Sequence, residues 1–219
     1  ARTVEEASNL SDVLFFSDKA QAYRVKLSDF EPTKASLLGD YIPAKLGFDN
    51  GEKCIAMKSF ASLDEDGGTF AFLFENGKGV RVPVSAYVTK SNRRRLTGAY
   101  SDASPCIGIF YIPKDEAKPI LLCSSAGKAL VFSSDLISEK TTRTSAGIAL
   151  MTLKPGQRAV LAETEFSALL PDSAKYRKTK IPSSGSALPE DFPLPERFKG
   201  LKVTLDTEIL TDGFLRVSV

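Results

Sequence analysis

The 219-residue chain has no histidine and no tryptophan, and only three cysteines. Without histidine, the commonest general base and the commonest transition-metal ligand are both missing. Ser-His and Cys-His nucleophiles are excluded, and a zinc site would need an all-Cys or carboxylate set. Cys54, Cys106 and Cys123 do not supply one, because no C-x-x-C spacing occurs. Three thiols cannot all pair within one chain, and each lies in an apolar stretch (KCIAM, PCIGIF, ILLCSS). They read as small buried hydrophobes of a reduced protein. No apolar run approaches the roughly 20 residues a membrane span needs. The opening ARTVEEASNLSD lacks the basic-then-apolar order of a signal peptide. A cytoplasmic protein without membrane contact is therefore expected. Charge is also unremarkable in sum, with a formal net of +2. The densest acidic cluster, Asp64-Glu65-Asp66, stands beside Gly67-Gly68 and reads as a solvated turn rather than a hydrolytic carboxylate pair.

Short strands broken by turns fill most of the chain, with no convincing helix period. VLFFSDKAQAYRVKL (13–27), TFAFLFENGKGVRVPV (69–84) and PILLCSSAGKALVFSS (119–134) share one plan. Each is an apolar run, a tight turn and an alternating strand, with Asn76-Gly77 the strongest hairpin signal. Superposing the turns makes Ala20, Gly77 and Gly127 equivalent, at spacings of 57 and 50 residues. An apolar residue follows each hairpin (Phe30, Tyr87, Ile137), then a loop with Lys or Arg, a glycine (Gly39, Gly98, Gly147) and another strand-like segment. A period of about 50 residues with several strands per unit predicts an all-β array of blades around an axis. The blades are placed at about 13–57, 69–112 and 118–164 of a single domain, 1–219. Residues 165–200 hold five prolines and read as an irregular connection. Residues 201–219 return to alternation, either as a partial fourth blade or as strands closing a neighbour, and the N-terminal dozen residues are a further candidate edge strand.

FFSDKAQAYRVKL resembles the recurrent strand motif of the C-terminal domain of the A subunit of bacterial type IIA topoisomerases, DNA gyrase and topoisomerase IV. TRTSAGIALMTLKPGQ (142–157) and GDYIPAKLGFDNGEK (39–53) resemble that family's blade endings. The resemblance implies a β-pinwheel, a propeller-like disc of four-stranded blades that exchange strands, with at least three blades and a partial fourth. It also implies a non-catalytic domain that binds and bends double-stranded DNA and presents it to a cleavage core. The catalytic tyrosine would lie in the rest of the A subunit. ATP and Mg2+ would be handled by the ATPase B subunit of a heterotetramer, leaving no cofactor in this chain. Two departures stand out. The family has glycine where Ala20 stands, so this turn is expected to take a shape an alanine tolerates. The glycine-rich basic heptapeptide of gyrases has no match here, which suits topoisomerase IV or a chain that starts downstream of it.

DNA bending requires cations spread along a curved edge, and repeats place equivalent loops at equivalent radii. Residues 85–100 hold Lys90, Arg93, Arg94 and Arg95 without an acid. Residues 139–158 hold Lys140, Arg143, Lys154 and Arg158 against Glu139. The first loop, 29–53, carries Lys34, Lys45 and Lys53 but five acids, which makes it the weakest contact. Phe15, Phe16, Phe70, Phe72 and Phe74 alternate within strands and are expected in the core rather than stacked on bases. Lys175–Lys180 is also basic and reads as a flexible arm touching DNA or a solvated tail. The alternative to DNA binding is a small propeller-like scaffold for proteins, which the modest net charge and the acidic first loop favour.

Overall fold

The computed structural model describes residues 2–34, 39–89, 94–194, 206–210 and 214–218. In chain order, β1 (Arg2–Glu6) precedes a hairpin of β2 (Asp12–Ser17) and β3 (Gln21–Lys26), a short helix α1 (Ile42–Leu46) and β4 (Cys54–Phe60). A second hairpin, β5 (Thr69–Phe74) and β6 (Lys78–Pro83), is followed by β7 (Arg95–Thr97) and β8 (Cys106–Ile112). The third, β9 (Pro119–Ser124) and β10 (Lys128–Ser133), is followed by β11 (Ile148–Ala149) and β12 (Ala159–Glu163). β13 (Ser186–Ala187), β14 (Asp206–Leu210) and β15 (Phe214–Ser218) complete the order.

Three four-stranded antiparallel sheets result, β4-β2-β3-β7, β11-β6-β5-β8 and β12-β9-β10-β13. Each consists of one hairpin, the long strand that follows it, and a short strand supplied from later in the chain. The expected all-β blades with exchanged strands are thus the observed architecture. β1, β15 and β14 form a separate three-stranded sheet, so the N-terminal strand pairs with the C-terminal hairpin. The chain divides into two compact units. One is Ala1–Asp66 with Tyr87–Tyr100 and Lys202–Val219, and the other is Gly67–Ala86 with Ser101–Leu201.

The apolar alternation explains the packing. In the first unit Val13, Phe15, Tyr23, Val25 and Phe30 pack with Ile42 and Leu46 of α1. In the second, one cluster joins the second and third sheets through Ala71, Leu73, Ile120, Leu122, Leu130 and Phe132. Each of the five phenylalanines expected in the core is at most 2% exposed. β2 and β5 are buried along their whole length, as strands packed on both faces must be. Cys54 and Cys123 are buried, and burial pushes all three thiols up to about 12.

Three expectations change. Residues 39–53 do not supply a strand before Lys53, because Pro43 opens a helical turn and Ile42 and Leu46 face the core one turn apart. Residues 165–194, the described part of the expected connection at 165–200, do more than connect. Phe166, Leu170 and Tyr176 cover the far side of the third sheet, and β13 closes its edge. The 3₁₀ turn Ala174–Tyr176 lies against β10, with Tyr176 in the cluster on that sheet and Arg177 and Lys178 bonded to Val131. The basic stretch Lys175–Lys180 is consequently anchored to that sheet. Finally, Ala20 does not escape the glycine conformation. Its φ is +53°, beside +75° at Gly77 and +67° at Gly127. Its N–H donates to the Tyr100 hydroxyl at 3.3 Å and its carbonyl accepts from Ala99 at 2.8 Å, which holds a conformation an alanine rarely takes.

Candidate nucleic-acid interface

The same backbone device sets each hairpin turn. Asp18, Glu75 and Ser125 donate their N–H to the carbonyls of Lys53, Pro105 and Arg158 at 2.8–2.9 Å. Lys53 and Arg158 therefore occupy equivalent positions. In the first unit the Asp18 carboxylate accepts the Lys53 N–H at 2.8 Å, whereas in the third sheet the Ser125 hydroxyl accepts the Arg158 N–H at 3.1 Å. Acid has been replaced by a neutral group beside the more basic turn.

The cations of the first unit are largely matched by its acids. Arg94 meets Asp29 at 3.0 Å. Arg95 pairs with Asp49, bonds the Gln21 side chain and lies over the Tyr23 ring at 6.0 Å. The pair lowers the pKa of Asp49 and raises that of Arg95 through their shared hydrogen bonds. Behind it, the Tyr23 hydroxyl donates to the buried Glu52 carboxylate at 3.0 Å, and that carboxylate accepts the Asp49 N–H at 2.7 Å. Burial first, then Glu52, raises the pKa of Tyr23. Lys45 pairs with Asp40 at 3.3 Å and sits over Phe30. Asp12 is buried and takes both Arg24 and Lys26 at 3.1 Å. Burial alone would raise its pKa, but the bonds from Arg24, Lys26 and the Leu63 N–H outweigh this and hold it low. Lys34 is exposed, and Lys90 and Arg93 lie outside the described residues.

The second unit differs. The segment after the third hairpin runs back along β6. Arg143 donates to the Ala86 carbonyl at 3.0 Å beyond one end of the strand, and the Lys140 N–H donates to the Arg81 carbonyl at 2.8 Å near its middle. Leu153, next to Lys154, lies against Gly77 at the other end. Lys140 and Lys154 are exposed and have no carboxylate partner among the described residues, and Arg158, one short turn after Lys154, is exposed too. A six-residue strand spans on the order of 20 Å, the length of about six base-pair steps at 3.4 Å. Cations spaced along it stand several base-pair steps apart, within reach of separate phosphates of one duplex. Among the described residues no group of His, Cys, Asp and Glu could hold a metal ion, and no helix is long and apolar enough to cross a membrane.

Residues 11–36 and 118–162 match the family of the DNA gyrase C-terminal domain, a β-propeller. The chain has the fold of the gyrase and topoisomerase IV C-terminal domains. The C-terminal domain of DNA topoisomerase IV superposes with a TM-score of 0.61 at 23% identity, over 71% of this chain and 47% of that one. The DNA gyrase A C-terminal domain gives 0.52 at 14% identity, over 82% and 60%. The E. coli ParC C-terminal domain gives 0.59 at 11% identity, over 84% and 79%. The chain thus spans about half the length of the first of these structures and three fifths of the second. No curated protein sequence matches it. The sequence motifs therefore located the fold correctly. Two signals were overlooked. Ser145–Leu150 (SAGIAL) recurs as Ser183–Leu188 (SSGSAL), which marks β13 as the counterpart of β11. Asp29 and Asp49, two of the five acids of the first loop, pair with the arginines of the second.

Proposed function

We propose that this chain is a DNA-binding and DNA-bending accessory domain of a type IIA topoisomerase A subunit, working by phosphate neutralisation and catalysing nothing itself. The observation that carries the reading is the alignment of Lys140, Arg143 and Lys154 along β6, with Lys140 and Lys154 lacking acid partners among the described residues. Such a row contacts the backbone and carries no base readout, which suits a domain that must accept any sequence. Bending 20–30 base pairs costs roughly 1–6 kcal/mol, which released counterions can offset. In this reading the rest of the A subunit cleaves DNA, and the ATPase B subunit of the heterotetramer uses ATP and Mg2+.

The test is anisotropy of a labelled 30-base-pair duplex against salt, with and without Lys140→Gln, Lys154→Gln and Arg158→Gln combined. The parent should show a steep logarithmic slope, and the triple variant should lose about three counterions' worth of it. Bending is read by energy transfer between end-labelled duplex termini. A parent whose affinity barely changes with salt would favour a protein-binding scaffold instead, the reading supported by the acid-matched surface of the first unit.

A further inference from the structure

One cleft recurs beside each hairpin of the four-stranded sheets, next to the closing pairs Asp12–Lys26, Thr69–Pro83 and Pro119–Ser133. Its charge diverges between the copies. In the first sheet Arg24, Lys26 and Arg94 line it with Asp12 and Asp29, which already pair with them. In the second, Arg81 and Lys114 face Asp115, Glu116, Asp135 and Glu139, a net acidic lining. In the third, Lys118, Arg177 and Lys178 face one acid, Asp135, whose carboxylate lies 3.7 Å from Arg81.

The third cleft is built, not incidental. Tyr176 is fully buried and its hydroxyl donates to the Ala187 carbonyl at 3.2 Å. Arg177 bridges Val131, and the Lys178 N–H donates to the Val131 carbonyl at 2.8 Å. Arg177 and Lys178 thereby form a basic strip fixed to the third sheet, with the Arg177 side chain exposed and lacking a carboxylate partner among the described residues. Pro119, Val131 and Phe132 give the cleft an apolar side.

We propose that the third cleft holds a phosphate and the adjoining sugar of a duplex DNA backbone, with Arg177 and Lys118 as the contacting cations. The planar guanidinium matches phosphate oxygens in a two-point contact, the ammonium adds a point charge, and the apolar side suits a deoxyribose. This rests on the DNA-binding reading above and adds a site to it. The second sheet's acidic cleft would repel the same ligand.

The experiment compares the full chain with Lys118→Gln/Arg177→Gln on the 30-base-pair duplex, with circular dichroism confirming the fold. The double variant should bind about tenfold more weakly, and its salt slope should fall by about two counterions. Arg177→Lys should restore most of the slope, and Lys114→Gln, in the acidic cleft, should change neither quantity. Should the double variant fail to fold, Lys118→Gln alone must lower the slope by about one. If the parent binds with a steep salt slope and these variants match it, the cleft is overturned while the DNA reading stands. If the parent itself lacks salt-dependent binding, the reading beneath it fails first.

Discussion

The first sheet and the two sheets of the second unit receive an exchanged strand at the same register, yet they hold it by different physics. Leu96, Ile148 and Ser186 lie opposite Ala22, Gly79 and Ala129, which places Arg95, Gly147 and Gly185 at one position. In the first sheet that residue is an arginine tied to Asp49 and Gln21. In the others it is a glycine at φ +71° or +73°, packed so tightly that a Cβ would stand 2.1 Å from the Gly79 carbonyl oxygen or 2.6 Å from that of Ala129. One topology can therefore be closed by charge or by close backbone approach. The choice has a functional consequence, because cations used for closure are taken from the surface that could meet DNA.

Gly147→Ala gives the largest expected effect, about 2–4 kcal/mol lost in urea unfolding, since it adds both a steric clash and left-handed strain. Gly127→Ala, at φ +67° with nothing within 4 Å of the added carbon, should cost only about 1 kcal/mol. Equal losses would show that backbone conformation alone, and not the close approach, distinguishes the second unit.

Acid should act next, and on the first unit. Asp12 has its folded pKa below the ordinary 3.8, so its stabilisation is present above that value and disappears as pH falls through the lower, folded one. Asp12→Asn should cost roughly 1–3 kcal/mol at pH 7 by leaving Arg24 and Lys26 without their shared anion. The parent's advantage should shrink below about pH 4, where the carboxylate of the unfolded chain begins to take up a proton, and vanish as pH falls through the lower pKa of the folded state. Hydrogen exchange should show β2 and β3 loosening there before β9 and β10. An advantage that persists at low pH would mean that Asp12 acts by shape and not charge.

The smallest effect sharpens the functional side of the comparison. Asp29→Asn/Asp49→Asn releases Arg94 and Arg95 from their ion pairs, and duplex affinity should rise a few-fold with a slope steeper by up to about two counterions. Unchanged binding would mean that the first unit does not face the duplex even when its arginines are unpaired.

The three hairpins were legible because apolar alternation around short turns is a local property, and a repeat of that pattern fixes the class of fold. Cys54 and Cys123 as core residues were legible for the same reason, whereas Cys106, also expected to be buried, is only partly so. The helix at Ile42–Leu46 was not, because a single turn carries too few residues to outweigh an apolar run that also suits a strand. The charge partners of Arg94 and Arg95 were hidden by separation of 65 and 46 residues along the chain. Sequence by itself determined the repeat, the turns and which side chains avoid water, since each depends on neighbours within a few residues. Tertiary structure alone decided which strand completes which sheet, which cations are already neutralised and where Lys175–Lys180 is anchored. Those outcomes depend on electrostatic and backbone contacts over a few ångströms between residues that chain order keeps far apart.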